Sequence, residues 1–225
     1  MAFVLTNDDG IDAPGIQALS KAIEGEKITV APQKHLSGCG HQLTTKNPIY
    51  VEKRSANSYA IDGTPADCSR IAITRLSKNI SWVLSGINAG GNLGVDIYTS
   101  GTVAAVREAA ILGIPGIAIS HWIKSPLVID WDLATKWTKR VLADLLIREI
   151  PPYCFWNVNL PHLEPDSKDP EIIFCDYSTD PLSIDYKIDG DFYYYFGEYA
   201  KRKRTKNRDV DVCFSGNIAV SLIKI

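Results

Sequence analysis

The run Phe3-Val4-Leu5, followed at once by Thr6-Asn7-Asp8-Asp9-Gly10, constrains this chain more than any other stretch. Apolar or small residues from Ala2 to Leu5 suffice for a strand buried on both faces, and the polar turn with its glycine marks the strand's carboxyl end. Open α/β sheets keep their ligands at that end. Adjacent carboxylates repel unless a cation, a proton or a basic group sits between them. Asp8-Asp9 therefore invites a divalent metal, against the plainer reading of a solvated Asx turn.

A chain of 225 residues buries a core without staples, and 45% hydrophobic with 22% charged residues is the make-up of a globular protein. A net charge of −2 gives no support for general nucleic-acid or membrane-surface binding. No apolar run approaches bilayer length and the first residues form no secretory signal, so a cytoplasmic protein is expected. The five cysteines form no C-x-x-C pair, which argues against a zinc knuckle or a disulfide framework.

Taken in order, Pro14 opens a helix with Ile16, Leu19 and Ile23 as its apolar stripe, and Lys27 to Ala31 reads as a second strand joined by a right-handed parallel crossover. The segment Pro32 to His41 then emerges on the same edge as Asp8-Asp9, with Ser37 and His41 as its candidate contacts. Ile49 to Val51 and Tyr59 to Ile61 read as a hairpin or an excursion from the sheet. Thr64 caps a helix opened by Pro65. Trp82 to Leu84 is a strand that runs into Ser85 to Gly94, where four glycines and two asparagines leave more backbone freedom than a simple turn needs. An asparagine carbonyl can enter a metal shell without adding charge. Helix-start amides with the Ser100 and Thr102 hydroxyls can hold a phosphate, or Ser100 can be an ordinary cap. Ile114 to Ser120 and Phe155 to Leu160 are further strands, the latter expected to be the last of the main sheet, with a helix across Asp130 to Ile150 between them. Beyond Pro161 come short strand candidates: Ile172 to Phe174, Ile184 to Ile188, Phe192 to Phe196, Val210 to Phe214 and Ile218 to Ile223. The aromatic run Tyr193 to Phe196 suits a protruding hairpin that packs on another subunit. Lys201 to Arg204 reads as a solvated turn, or as a positive field for phosphorylated substrates. The expected architecture is an α/β, Rossmann-like three-layer sandwich with a mainly parallel sheet over residues 1–165, and a β-rich extension at 166–225 that makes intersubunit contacts.

Together these motifs resemble the SurE family of metal-dependent survival-protein phosphatases, described as 5′(3′)-nucleotidases. The matching stretches are Thr6 to Gly10, Ala31-Pro32 with Ser37 and Gly40-His41, Gly63 to Cys68, Ser85 to Gly94, Ser100 to Ala105, and Asn157 to Pro161. The likeness is strong from Ala2 to Ala118 and thinner afterwards. Near the carboxyl end the chain reads Ala219-Val220-Ser221-Leu222-Ile223 where relatives carry a Ser-Ile-Thr-Pro-Leu-like strand. The resemblance implies one divalent ion per subunit, Mg²⁺ or Mn²⁺ with Ca²⁺ as a further choice, held by Asp8, Asp9, Ser37 and Asn88. It implies a phosphate pocket of Asn92, Ser100, Gly101 and Thr102, with Asp8 and Asn92 as catalytic residues and His41 as a further candidate. The implied partners are a nucleoside monophosphate or another phosphate monoester and a second copy of the chain, as homodimer or homotetramer, with no stable nucleic-acid complex and no membrane. Asp8 either accepts a proton from water or attacks phosphorus itself. An aspartyl route leans on a second acid in an Asp-x-Asp arrangement, and Ile11 is no such acid, which favours water. Two rivals stand beside this reading. One is a receiver-like signalling domain using Asp62, Ser85 and Lys124; the other is an inactive nucleotide-binding subunit.

Overall fold

In β1 (Ala2–Thr6) successive side chains enter opposite cores, Phe3 and Leu5 on one side and Val4 on the other. The computed structural model that shows this describes residues 1–164 and 167–225. Pro14 opens α1 (Pro14–Ala22), as its fixed φ and missing N–H favour, and α1 returns the chain to β2 (Glu26–Pro32), parallel to β1. A hairpin is present as β3 (Val51–Ser55) and β4 (Ser58–Ile61), its first strand beginning where the expected Ile49 to Val51 strand ends. It does not leave the sheet, because β4 pairs in parallel with β2. In α2 (Pro65–Ile71) a full capping box forms, with Thr64 Oγ1 accepting from Asp67 N and Asp67 Oδ2 accepting from Thr64 N.

The next strand, β5 (Trp82–Ala89), is longer than expected: Ser85 to Ala89 belong to it, with a register shift against its neighbour between Ser85 and Asn88. It is followed by α3 (Gly101–Ile111), β6 (Gly116–His121), α4 (Trp131–Leu145) capped by Asp130, and β7 (Cys154–Leu160). Two expectations fail in the last sixty residues. β7 is not the last strand of the sheet, since β11 (Ile218–Lys224) pairs antiparallel with it and β8 (Ile172–Phe174) pairs with β11. Val210 to Phe214 is not a strand but helix α5 (Asp209–Phe214), which buries Val210, Val212 and Cys213. The protruding hairpin is β9 (Tyr186–Asp189) with β10 (Phe192–Tyr195), a separate two-stranded sheet. The boundary expected between residues 165 and 166 lies outside the described residues.

Among the described residues the main sheet has nine strands in the order β3-β4-β2-β1-β5-β6-β7-β11-β8, with β4, β2, β1, β5, β6 and β7 parallel. Helices α1 and α4 cover one face through Ile16, Leu19, Trp137 and Val141, and α2 and α3 cover the other through Cys68, Val103 and Val106. Full burial of a side chain such as Leu5, Leu84 or Ile117 contributes about 1.5–3 kcal/mol each, which makes this framework stiff. The chain leaves β1 in one direction through β2 and comes back on the other side as β5. That reversal opens a crevice at the carboxyl ends of β1 and β5, where such sheets bind ligands.

Thr64→Ala removes the cap and the bond from Thr64 Oγ1 to Gln42 O. Urea denaturation is expected to show a loss of about 1–2 kcal/mol with an unchanged slope. An unchanged midpoint contradicts the role given to this cap.

Candidate metal and phosphate site

Three turns that are distant in sequence are fastened together at this crevice. Asp9 Oδ2 accepts from the main-chain N–H of Ala89 at 3.2 Å, which ties the β1 turn to the residue after Asn88. The carbonyl of Asp8 accepts from Leu36 N at 2.8 Å and so holds the segment carrying Ser37. Ile11 N donates to Pro32 O, and Asn7, fully buried, clamps Gly10 by accepting its N–H and donating to its carbonyl. The turn is therefore rigid around its two carboxylates.

The third side of the site is the start of α3. Thr102 Oγ1 donates to Asp8 Oδ1 at 2.6 Å, and a Cβ on Gly101 would stand 2.9 Å from Asp8 Cβ and 3.1 Å from Asp8 Oδ2. Only glycine lets the helix start come this close to the carboxylate. Ser100 Oγ accepts from Val103 N, the ordinary capping bond. The first-turn amides of α3 need partners from outside the helix.

The electrostatics follow from burial. Asp8 is 4% exposed, and its carboxyl is pushed up to about 6, first by loss of water and then by the charge of Asp9, while the Thr102 hydroxyl opposes the rise. Among the described residues the basic side chain paired with Asp9 is the exposed His35, whose Nδ1 lies 3.2 Å from Asp9 Oδ1. Asn88 spends its amide nitrogen on Gly90 O at 2.7 Å, and no donor among the described residues reaches its carbonyl oxygen. Ser37 is exposed at the rim. Two under-compensated carboxylates, an amide oxygen and a hydroxyl are all hard oxygen donors. They fit Mg²⁺, Mn²⁺ or Ca²⁺ rather than a soft-ligand metal. Among the described residues no cluster of three or more His, Cys, Asp or Glu side chains is suited to hold a metal, so a cation here would depend on the neutral oxygens as well.

Asn92 follows the carboxyl end of β5. Its Nδ2 donates to Ser120 Oγ at 2.7 Å, its N–H to Asn159 Oδ1, and its carbonyl accepts from Asn157 and Asn159. His41 is engaged elsewhere: Nε2 meets the buried carboxylate of Glu108 at 2.8 Å, and Arg70 Nε binds the other oxygen of Glu108. That arrangement ties the loop to α2 and α3, a stabilising role that engages His41 away from the Asp8-Asp9 turn. The receiver constellation does not assemble. Asp62 follows β4 and Lys124 follows β6, four strand spacings of about 4.8 Å away, and Lys124 pairs with Glu164 instead. Sequence reasoning missed His35 and the bond from Thr102 to Asp8. The spacing of His35 after β2 was a usable signal for the first; the second depends on how α3 packs.

A profile of the survival protein SurE family matches residues 3–180. A protein of Nostoc sp. (strain PCC 7120) with a provisional 5′-nucleotidase name is 60% identical over the full length of both chains. The 5′-nucleotidase SurE of Rubrobacter xylanophilus is 43% identical over 72% of this chain and 67% of its own length. The crystal structure of the SurE protein from Aquifex aeolicus superimposes with a TM-score of 0.88 at 33% identity, covering all of this chain and 93% of that one.

The raised carboxyl of Asp8 makes a signed prediction for the metal-free protein. With a folded value near 6 against 3.8 in the open chain, the fold binds the extra proton between those values, so this group lowers stability as pH rises through the window. Asp8→Asn keeps an acceptor for Thr102 and removes the buried charge. It is expected to stabilise metal-free protein by on the order of 2 kcal/mol at pH 8 and by nearly nothing at pH 4. Thermal or urea melts at both pH values check this, and a loss of stability at pH 8 contradicts it.

Proposed function

The chain belongs to the SurE family, and from that membership and the geometry above we propose that it is a divalent-metal-dependent phosphatase hydrolysing nucleoside monophosphates to nucleoside and phosphate. The observation that carries the proposal is the set of bonds that fastens the Asp8-Asp9 turn to Ala89, to Leu36 and to Thr102, so that hard oxygen donors from three turns face one crevice beside a helix start. Asp8, Asp9, Asn88 and Ser37 would hold the ion. When bound, it supplies Lewis-acid charge to the phosphoryl oxygens and lowers the pKa of water.

The chain's own residues supply the rest. The free amides of Gly101 and Thr102 at the start of α3, with the Ser100 hydroxyl, face where phosphate oxygens would lie, and Asn92 completes the pocket; the Thr102 hydroxyl itself is committed to Asp8. Thr102 fixes the direction of the Asp8 carboxylate, leaving Oδ2 to accept the proton of an attacking water. The water route suits the sequence: Gly10 and Ile11 occupy the positions two residues after Asp8 and Asp9, where an aspartyl mechanism would place its second acid. The proposal extends to 3′-nucleotides, because nothing in this donor set distinguishes the ester position.

A second copy of the chain is the proposed partner. In β9 and β10, Tyr186, Ile188, Phe192, Tyr193, Tyr194 and Tyr195 are each at least half exposed, on both faces of a two-stranded ribbon. Such a ribbon does not stand alone in water, and packing on another subunit buries it. Among the described residues no helix is long and apolar enough to cross a membrane.

Chelation is expected to abolish phosphate release from nucleoside monophosphates, and added Mg²⁺ or Mn²⁺ to restore it. Asp9→Asn, which removes one ligand charge and keeps the shape, should lower kcat/KM by about a thousandfold or more with an unchanged circular dichroism spectrum. Full activity of that variant contradicts the metal assignment. Tight nucleotide binding by the wild type without turnover under any divalent ion would favour the inactive binding subunit instead.

A further inference from the structure

The stretch Gly91–Asp96 runs from an irregular segment into the 3-10 turn Gly94–Tyr98, and several of its backbone polar groups are satisfied by side chains from both sides. On the inner side Asn92 is bonded to Asn157 and Asn159. On the outer side the partners come from a segment a hundred residues later. Arg202 NH1 binds Asp96 Oδ2 at 2.7 Å and NH2 binds Leu93 O at 3.1 Å; the hydroxyl of Tyr199 lies 2.6 Å from the same Asp96 oxygen and 3.3 Å from Gly91 O. Asp209 Oδ2 accepts from Gly94 N at 2.6 Å. Gly94 has φ +56, and a Cβ there would stand 2.8 Å from Ser178 O. Within the run Lys201 to Arg204, read from sequence as a solvated turn, Arg202 is an exception with only 4% exposure.

A guanidinium is taken out of water at considerable cost unless it finds partners, and here one carboxylate and one main-chain carbonyl of this arch accept from it while its Cζ lies 4.9 Å from the Tyr199 ring centre. Asp96 in turn accepts Ser100 N on its own carbonyl at 3.0 Å. One ion pair therefore sets both the path through Asn92 and the position of Ser100. We propose that Arg202, braced by Tyr199, is a positioning residue for phosphate capture, holding the Asn92 arch and the Ser100 turn in register with each other from outside the site. This rests on the reading of Asn92 and Ser100 as phosphate-holding groups. It assigns a role in the reaction to the late basic run, through structure rather than through long-range field.

The test compares wild type with Arg202→Met, Arg202→Lys and Tyr199→Phe. The readouts are steady-state kinetics on a nucleoside monophosphate, inorganic phosphate binding by calorimetry in Mg²⁺, and Mn²⁺ binding. Arg202→Met is expected to raise KM and the phosphate Kd together by about tenfold or more, with Mn²⁺ affinity within about twofold of wild type. Arg202→Lys should recover part of the loss, because lysine keeps the charge without the fork. Tyr199→Phe, which removes one hydroxyl and keeps the ring, should raise both constants about threefold and serves as the deciding variant if Arg202→Met does not fold. Folded variants whose KM and phosphate Kd stay within twofold of wild type overturn the proposal, as does a parallel loss of Mn²⁺ affinity. Wild type that binds phosphate without turnover overturns the enzymatic reading alone, since the phosphate Kd series still decides the positioning role. Wild type that binds no phosphate overturns both.

Discussion

Asp8 and Asp9 stand side by side at the end of a buried strand, and the surrounding structure is arranged to keep them there without neutralising them. Burial raises the proton affinity of Asp8, while the Thr102 hydroxyl on Asp8, and the Ala89 N–H and an exposed histidine beside Asp9, only partly compensate the two charges. Carboxylates left in this condition cost stability in the metal-free protein. The architecture carries that cost through the cores on both faces of the sheet, where β1 and β5 are almost wholly buried. A binding site is thus a local departure from the most stable arrangement, upheld by the framework around it.

The framework also explains how pieces remote in sequence meet. Reversal of strand order at β1 brings the turns after β1, β2 and β5 to one edge, and short cross-bonds then fix their separation: Asp9 to Ala89, Asp8 to Leu36, Ile11 to Pro32. Close approach of α3 depends on the missing side chain of Gly101. On the far side, Arg202, Tyr199 and Asp209 close the arch after β5, so the late segment is joined to the crevice as well as to the sheet edge.

Much of this was legible in the sequence wherever local chemistry and long-range packing agree. The β1 turn, the proline starts of α1 and α2 and the Thr64 cap could be read directly, because apolar pattern and capping residue types point the same way. Val210 to Phe214 could not. Its alternation of valine with aspartate has the period of a strand, whereas Asp209 accepts the N–H groups of Gly94, Ser178 and Val210 and starts a short helix instead. The partner of Arg202 was hidden for a similar reason. A run of four basic residues looks solvated until the fold shows one of them, itself buried, facing the partly buried carboxylate of Asp96. At the site, residue types named the candidate ligands and the position of His35 after β2 was readable, but the bond of Thr102 to Asp8 arises from packing between elements that no spacing rule connects.

If the three turns share one cation, anomalous diffraction from crystals soaked in Mn²⁺ will show a single strong peak per chain, with oxygens of Asp8, Asp9, Asn88 and Ser37 within roughly 2.0–2.6 Å of it. A peak bound by other side chains, or none at millimolar Mn²⁺, would mean that the turns do not share an ion.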